Sequence, residues 1–494
     1  MHRLHRRDVL KSAVAGGVLL GCSEPWGGPS RAAAAPGPNT EVRLALIGLG
    51  GIDIPDSVGG RGRQLLAQLR KISGARVVAL CDVDEAVLGH GVELLRKQGQ
   101  EVARYGDMRH AFDDPNIDAV VIATPNHWHA LATIWACQAG KDVYVEKPFS
   151  YNIWEGRQMV AAARKFDRMV QVGTQRRSSQ NLADAIERLR AGELGSIRSA
   201  HALVYRVRSG IGRVDGPTAV PKTLDFNTWS GPAPVEPIHR KHLHYHWHWF
   251  WSTGNGEIGN NGPHTIDVAR WALGQQHLPP RAISIGGRFG AEDNAETANT
   301  QIAFFDYQPA PLICEVRNLR RPGQDIGKFR GARGGVVIQC EGGYYAGDAD
   351  GGAFYDRDGK KIKDIRRTQP EQEQDHLANF IACVQSRKRE QLNAEAEVGH
   401  VSAACCHMAN ISYRLGKTHA STTVAGHSEL TGAWQRCADY LVANGVDLKQ
   451  TPASLGPWVD WNDEQQQFVG DTGEAANRLS QREYRQPFEV PRFV

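Results

Sequence analysis

Three sets of residues have types and spacings that could do chemistry. The first is Gly48 and Gly50 at the end of "EVRLALIGLGG", with Gly62 in "GRGRQLLAQLR" and Asp82 closing "ARVVALCDVDE". Glycines at a strand–helix turn let backbone N–H groups approach a pyrophosphate, and an acid about twenty residues beyond the last glycine suits adenosine ribose hydroxyls. The second is the run "KHLHYHWHWFW", Lys241 to Trp251, with histidine at 242, 244, 246 and 248. Alternation predicts an extended strand with imidazoles on one face and large apolar groups on the other. Such a row spaces its ligands at ~6.6 Å along a line and contains no Cys or acid, so no metal is assigned. Trp and Tyr faces with His hydrogen bonds instead suit a carbohydrate wall. The third is "TPNHWHA" and "EKP", each placed just after an apolar strand.

The elements that must position these groups follow from the apolar pattern. "EVRLALI", "ARVVALC", "IDAVVIA" and "KDVYVE" read as buried strands with helical segments between them, a doubly wound parallel sheet. Ligands of such sheets sit beyond the carboxyl ends of the strands, where Thr124, Pro125, Asn126, His129, Glu146 and Lys147 fall. The spacing from Gly50 to Gly62 departs from the usual fingerprint through the intervening "GIDIPDSVG". Gly62 is assigned the third glycine, and Arg61 beside it joins the cofactor set. An aspartate at position 82 repels a 2′-phosphate, which favours NAD over NADP. Its alternative is a strand-end cap.

The expected layout is an export signal and linker over residues 1–40, an NAD-binding domain over 41–165, an α+β substrate and oligomerisation domain over 166–455, and a C-terminal arm over 456–494. Strands are expected at "ISIGGRF", "TQIAFFDY", "PLICEVRNL" and "GGVVIQCEGGYYA", and amphipathic helices at "QDHLANFIACVQSRK" and "GHVSAACCHMANISYRLGK". Arg6 and Arg7 precede a short, weakly apolar run, which resembles a twin-arginine export signal. "LLGC" resembles a lipoprotein cleavage site that would make Cys22 a lipidated residue; the alternative is a cut near Ala32–Ala35. The protein is thus expected to be periplasmic, with or without a lipid anchor. Of nine cysteines, the eight beyond Cys22 are scattered and are expected to be mostly buried thiols. A net charge of +4 over 494 residues points to no nucleic-acid surface.

"CDVD", "TPNHWHA", "EKP" and the later "GPHTIDVARW", in that order, resemble the glucose-fructose oxidoreductase / inositol dehydrogenase (Gfo/Idh/MocA) family. The resemblance implies a Rossmann domain followed by an α+β domain with a large open, mainly antiparallel sheet, whose outer face commonly makes an oligomer contact, here a dimer or tetramer. It implies His264 as the acid/base and Lys147 as the group holding the substrate oxygen and the nicotinamide ribose. Asn260 stands where many members have an aspartate. Asp267, three residues after His264, is a candidate for orienting it. Gln175 and Arg176 follow a strand at its ligand-facing end and are substrate candidates; for Arg176 the alternative is an ion pair near the domain junction. Because the histidine run leads into the catalytic segment, Trp247, His248 and Trp249 are assigned to the substrate wall. The implied activity is NAD-dependent oxidation of a sugar, sugar alcohol or glycoside, with cofactor that travels bound and is recycled. The alternatives are an NAD-dependent glycoside hydrolase, working through C3 oxidation, elimination and reduction, and a carbohydrate-binding lipoprotein without catalysis.

Overall fold

The computed structural model describes residues 41–55, 59–320, 326–366, 372–424 and 427–494. The expected export signal, Cys22 and the linker lie outside the described residues.

Six parallel strands form the first sheet: β1 (Val42–Ile47), β2 (Ala75–Cys81), β3 (Ala103–Tyr105), β4 (Ala119–Ile122), β5 (Asp142–Val145) and β6 (Val170–Val172), in the order β3-β2-β1-β4-β5-β6. β1 pairs in parallel with both β2 and β4, so the winding direction reverses between β1 and β4 and a cleft opens above their carboxyl ends. β6 joins this sheet, so the first domain runs past the expected boundary at residue 165. The strands are apolar without alternation because both faces are covered. The helices in front of and behind the sheet that bear on the site are α1 (Arg61–Leu69), α2 (Asn126–Gln138) and α3 (Ile153–Lys165).

The second sheet has twelve strands. Its central members are β7 (Ile197–Tyr205), β8 (Arg281–Gly287), β9 (Thr300–Phe305) and β10 (Leu312–Arg317), with β11 (Gly335–Cys340) beside β7 and the sequence extended outward through later hairpins. β7 and β10 are parallel, while β10–β9, β9–β8 and β7–β11 are antiparallel. The four expected strands are therefore present, "GGVVIQCEGGYYA" as a hairpin. One face of the sheet packs on α4 (Gly256–Leu273) and on α6 (Ala396–Arg414). Gly262 brings α4 close to α6: a Cβ there would lie 3.2 Å from Cys406 Sγ. The other face is covered by the chain's own helix α7 (Ser428–Ala443), through Leu430, Trp434, Cys437 and Leu441.

Two segments end up where periodicity alone does not place them. α5 (Gln372–Ser386) is the expected amphipathic helix, but its apolar residues Leu377, Phe380, Ile381 and Val384 pack on the first sheet with Val42, Leu44 and Leu46. The tail, read as an arm from residue 456, is integrated into its own chain. Val459 pairs with Ala282 of β8, and further on Phe488 sets its ring edge-on to Trp128 at 5.5 Å and Phe493 meets Phe166 at 5.9 Å. All eight cysteines beyond Cys22 are free thiols; seven are buried and Cys340 is half-buried. Among the described residues no helix is long and apolar enough to cross a membrane.

The run Lys241–Trp251 is not a strand. Leu243–His246 form a helical turn and Trp247–Trp249 continue as a 3-10 turn. Among the described residues no strand pairs with it, and its backbone groups bond locally: His246 N donates to His242 O at 2.8 Å and Tyr245 N to the same carbonyl at 3.2 Å. The side-chain period is three to four residues instead of two.

Candidate active site

A cavity of about 330 Å³ lies at the β1/β4 switch point and reaches the second domain. Gly48, Gly50, Arg61, Asp82, Thr124, Pro125, Asn126, His129, Glu146, Lys147, Gln175, Asn260 and His264 all line it, with Trp247 and His248 from the histidine run.

The insertion after Gly50 is looped out. Gly51 N donates to Gly59 O at 3.1 Å, which closes the loop at its base. Gly50 has φ +80°, and a Cβ there would meet Gly59 O at 2.0 Å. Gly62 then comes against the end of β1, where a Cβ would lie 2.0 Å from Gly48 O. The Arg63 guanidinium pins the turn from below, donating to Leu49 O, Gly50 O and Gly51 O at 3.0, 3.1 and 2.6 Å. No side chain caps α1, so its first N–H groups remain for a ligand. Asp82 accepts from Leu49 N at 2.8 Å and from Asp84 N at 3.0 Å, and burial pushes its pKa up.

Across the cleft, Glu146 accepts from Arg61 Nε and Nη2 at 2.8 and 2.6 Å. Lys147 Nζ donates to Asn260 O at 2.7 Å and to Asn260 Oδ1 at 3.1 Å. Burial lowers the Lys147 pKa to about 8 although Glu146 pulls it up. His264 stands one helical turn beyond Asn260 on α4. Burial, then Lys147 and Arg176, hold its pKa well below the usual value, so the imidazole is neutral, and its Nδ1 has no hydrogen-bond partner among the described residues. His129 lies between Pro148 O at 2.7 Å and Thr124 O at 3.0 Å, and a neutral ring donates to one of them. Asn126 Nδ2 donates to Asn255 Oδ1 at 2.8 Å, tying α2 to the start of α4.

The helical period of the histidine run brings His244, Tyr245, Trp247 and His248 onto the cavity. His248 stacks on Trp247 with centroids 3.6 Å apart; its Nδ1 faces Tyr245 O at 2.6 Å, and burial lowers its pKa to about 3. His244 Nε2 bonds Asp84 Oδ2 at 3.0 Å. Burial works against ionisation of Asp84, but the bonds from His244, Thr223 and Ala86 N bring its pKa down to about 2. His242 Nδ1 meets Asp53 Oδ2 of the inserted loop at 3.0 Å. The run therefore roofs the nucleotide side of the cleft as well as the substrate side.

Three assignments are corrected. Trp249 does not line the cavity; its buried ring packs under the Arg208 guanidinium at 5.7 Å. Arg176 does not line the cavity but takes its alternative role, an ion pair with Asp348 at 2.9 Å, from which its charge still reaches His264. Asp267 is fully buried and accepts from Arg177 Nε and Nη2 at 2.7 and 3.0 Å and from Ser402 Oγ at 2.7 Å, so it holds helices together and does not orient His264. Sequence reasoning missed Tyr245, Asn261, Arg206 and Arg208, which also line the cavity. The signal for the arginines was available: "YRVR" places them two residues apart at the end of a strand.

The residues present fit a dinucleotide. Thr124 Oγ1, Gln175 Oε1 and His264 Nδ1 are buried without a partner, and all three residues line the cavity beside the glycine turn.

Residues 42–174 match the model of the oxidoreductase family with NAD-binding Rossmann fold (Gfo/Idh/MocA), and residues 209–316 match that family's C-terminal alpha/beta domain. An inositol 2-dehydrogenase of Saccharopolyspora erythraea is 37% identical over 141 residues, covering 28% of this chain and 40% of that protein. A glycosyl hydrolase family 109 protein of Solibacter usitatus is 32% identical over 166 residues, 31% of this chain and 36% of that protein. The matches thus span less than half of each relative's length. Among solved structures, aldose-aldose oxidoreductase from Caulobacter crescentus superposes with a TM-score of 0.53 at 19% identity, over 74% of this chain and 94% of that one. Levoglucosan dehydrogenase, solved with NADH and levoglucosan, gives 0.54 at 17% identity over 74% and 96%. At these identities the structural likeness establishes the fold.

Proposed function

Since the chain carries both domains of the Gfo/Idh/MocA oxidoreductase family, we propose that it is an NAD-dependent oxidoreductase acting on a sugar, sugar alcohol or glycoside. The observation that carries this reading is the meeting of Lys147, Asn260 and His264 in the cavity that also holds the glycine turn and Asp82. Gly48, Gly50, Gly62 and the start of α1 would hold the pyrophosphate, Asp82 the ribose hydroxyls, and Thr124, Asn126 and Glu146 the nicotinamide side. When bound, NAD supplies a hydride acceptor. The chain's own part is proton handling. Neutral His264 takes the hydroxyl proton at an imidazole nitrogen. Lys147 directs its ammonium at the same oxygen and stabilises developing negative charge there, while Asn260 holds Lys147 in place from one turn before His264. Trp247 and His248 offer a stacked surface to the sugar.

NAD is favoured over NADP by the aspartate at position 82. Export by the twin-arginine route would deliver the protein with cofactor already loaded, and outside the cytoplasm the cofactor must be regenerated within the enzyme's own cycle. That supports hydride exchange between sugars, or a redox-neutral reaction. The similarity to glycosyl hydrolase family 109 proteins favours the second form, glycoside hydrolysis through transient oxidation at C3.

The test is to denature the purified full chain, identify any released nucleotide, and assay a glycoside panel for keto product and free sugar. Keto product supports the oxidoreductase; free sugar without net reduction of NAD supports the hydrolase. Absence of nucleotide together with no binding of added NAD would sink both.

A further inference from the structure

On the second-domain wall of the cavity stand two arginines, Arg206 and Arg208, of which only Arg208 has a carboxylate partner among the described residues. Beyond β7 the backbone stays extended and tied to the strand beside it: Arg206 N donates to Arg317 O at 3.0 Å, Arg208 N to Asn318 O at 3.0 Å, and Asn318 Nδ2 to Arg206 O at 2.7 Å. Residues two apart in such a segment face the same side, and both arginines line the cavity. Arg208 has its counter-charge. Its Nε donates to Glu257 Oε2 at 3.0 Å and its Nη1 to Tyr245 OH at 2.7 Å. Arg206 is exposed, and among the described residues no carboxylate pairs with it.

The carboxylates lining the cavity do not supply the missing charge. Asp82 is held by Leu49 N and Asp84 N, and Glu146 by Arg61. Among the described residues Lys147 Nζ donates to the neutral Asn260. An ordered backbone and a planar guanidinium, with the one nearby acid among the described residues, Glu257, already engaged by Arg208 and Asn261, make a receptor for a carboxylate or sulfate oxygen pair. We propose that Arg206 recognises an anionic substituent on the sugar, so that the substrate is a uronic acid, a uronide or a sulfate-bearing sugar and not a neutral hexose. The proposal rests on the sugar-oxidoreductase reading and names its substrate class.

The test is calorimetric titration of the NAD-loaded full chain with glucuronate, galacturonate, the 6-sulfates of glucose and galactose, and the two parent hexoses. At least one anionic probe is expected to bind about tenfold or more tightly than its parent, with the margin falling as salt rises. Whether uronate or sulfate binds better identifies the substituent. R206Q is expected to erase that margin and R206K to keep much of it, while R206Q leaves the affinity for NAD unchanged. Equal binding of charged and neutral probes, binding of no anionic probe, or a margin that survives R206Q overturns the proposal. So does an R206Q protein whose main loss is in NAD binding, because Arg206 would then serve the nucleotide phosphates. Oxidation of a neutral hexose or glycoside alone would leave the broader reading standing and remove this one; failure to bind NAD would remove the broader reading itself.

Discussion

The glycine turn and the histidine run meet at the mouth of one cavity, and their rules differ in range. The turn is governed by neighbours a few residues away. Gly50 must adopt φ +80°, Gly62 must leave room for Gly48 O, and the inserted loop closes on itself through Gly51 N and Gly59 O. Extra residues between Gly50 and Gly60 therefore leave the arrangement intact. The histidine run has a strong local pattern, but the pattern alone does not decide its conformation. An alternating sequence needs a strand to pair with, and among the described residues none pairs with this one. It folds into helical turns, and contacts to Asp53 and Asp84 of the first domain set its place. Local steric rules survive an insertion; a periodicity without a pairing partner does not survive its surroundings.

The sharpest way to break this comparison is Gly62→Ala. Added Cβ atoms at this contact meet backbone, so overpacking of about 1–3 kcal/mol predicts an NAD affinity lower by roughly 5- to 150-fold, measured by calorimetry. Unchanged affinity would mean that Gly62 does not serve as the third glycine. Lys147, between the two regions, sets the pH response. With its pKa lowered to about 8, the ammonium is present below that pH and lost above it. kcat/KM is expected to fall by up to about tenfold per pH unit above 8, with no inflection near 6.5 from His264, whose neutral form persists well below that. A smaller effect is expected for His244→Ala, which removes the bond to buried Asp84 and loosens the roof: NAD dissociation measured by stopped-flow should speed up about three- to tenfold. The smallest is Asp53→Ala. Its pair with His242 is exposed on both sides, and such pairs contribute little, so dissociation should change less than about twofold. If Asp53→Ala exceeded His244→Ala, the inserted loop and not the Asp84 contact would be what holds the roof.

Much of the first domain was legible in sequence because its signals are short-range. Apolar strands, the glycine turn, Asp82, the residues after β4 and β5, and the pairing of Asn260 with His264 at helical spacing all fall where local rules put them. What escaped depends on partners far along the chain. Asp267 could be judged structural once Arg177 and Ser402 were seen beside it, and Ser402 is 135 residues away. α5 has an amphipathic pattern that says "helix" but not which sheet it covers. The tail beyond residue 456 has little periodicity because its anchors, Phe488 and Phe493, dock singly onto Trp128 and Phe166. Arg206 and Arg208 belong to no motif, and their significance lies in which of them finds a carboxylate.

The central claim is that His264 takes a proton from a sugar hydroxyl at a site holding NAD. The most direct measurement mixes the NAD-loaded full chain with a glycoside or uronide it binds and follows absorbance at 340 nm through a single turnover. Absorbance is expected to rise in the native protein and to rise about 10²–10⁴-fold more slowly in His264→Ala, with NAD still bound. A rise at the same rate in His264→Ala, or none in the native protein with both ligands bound, would contradict it.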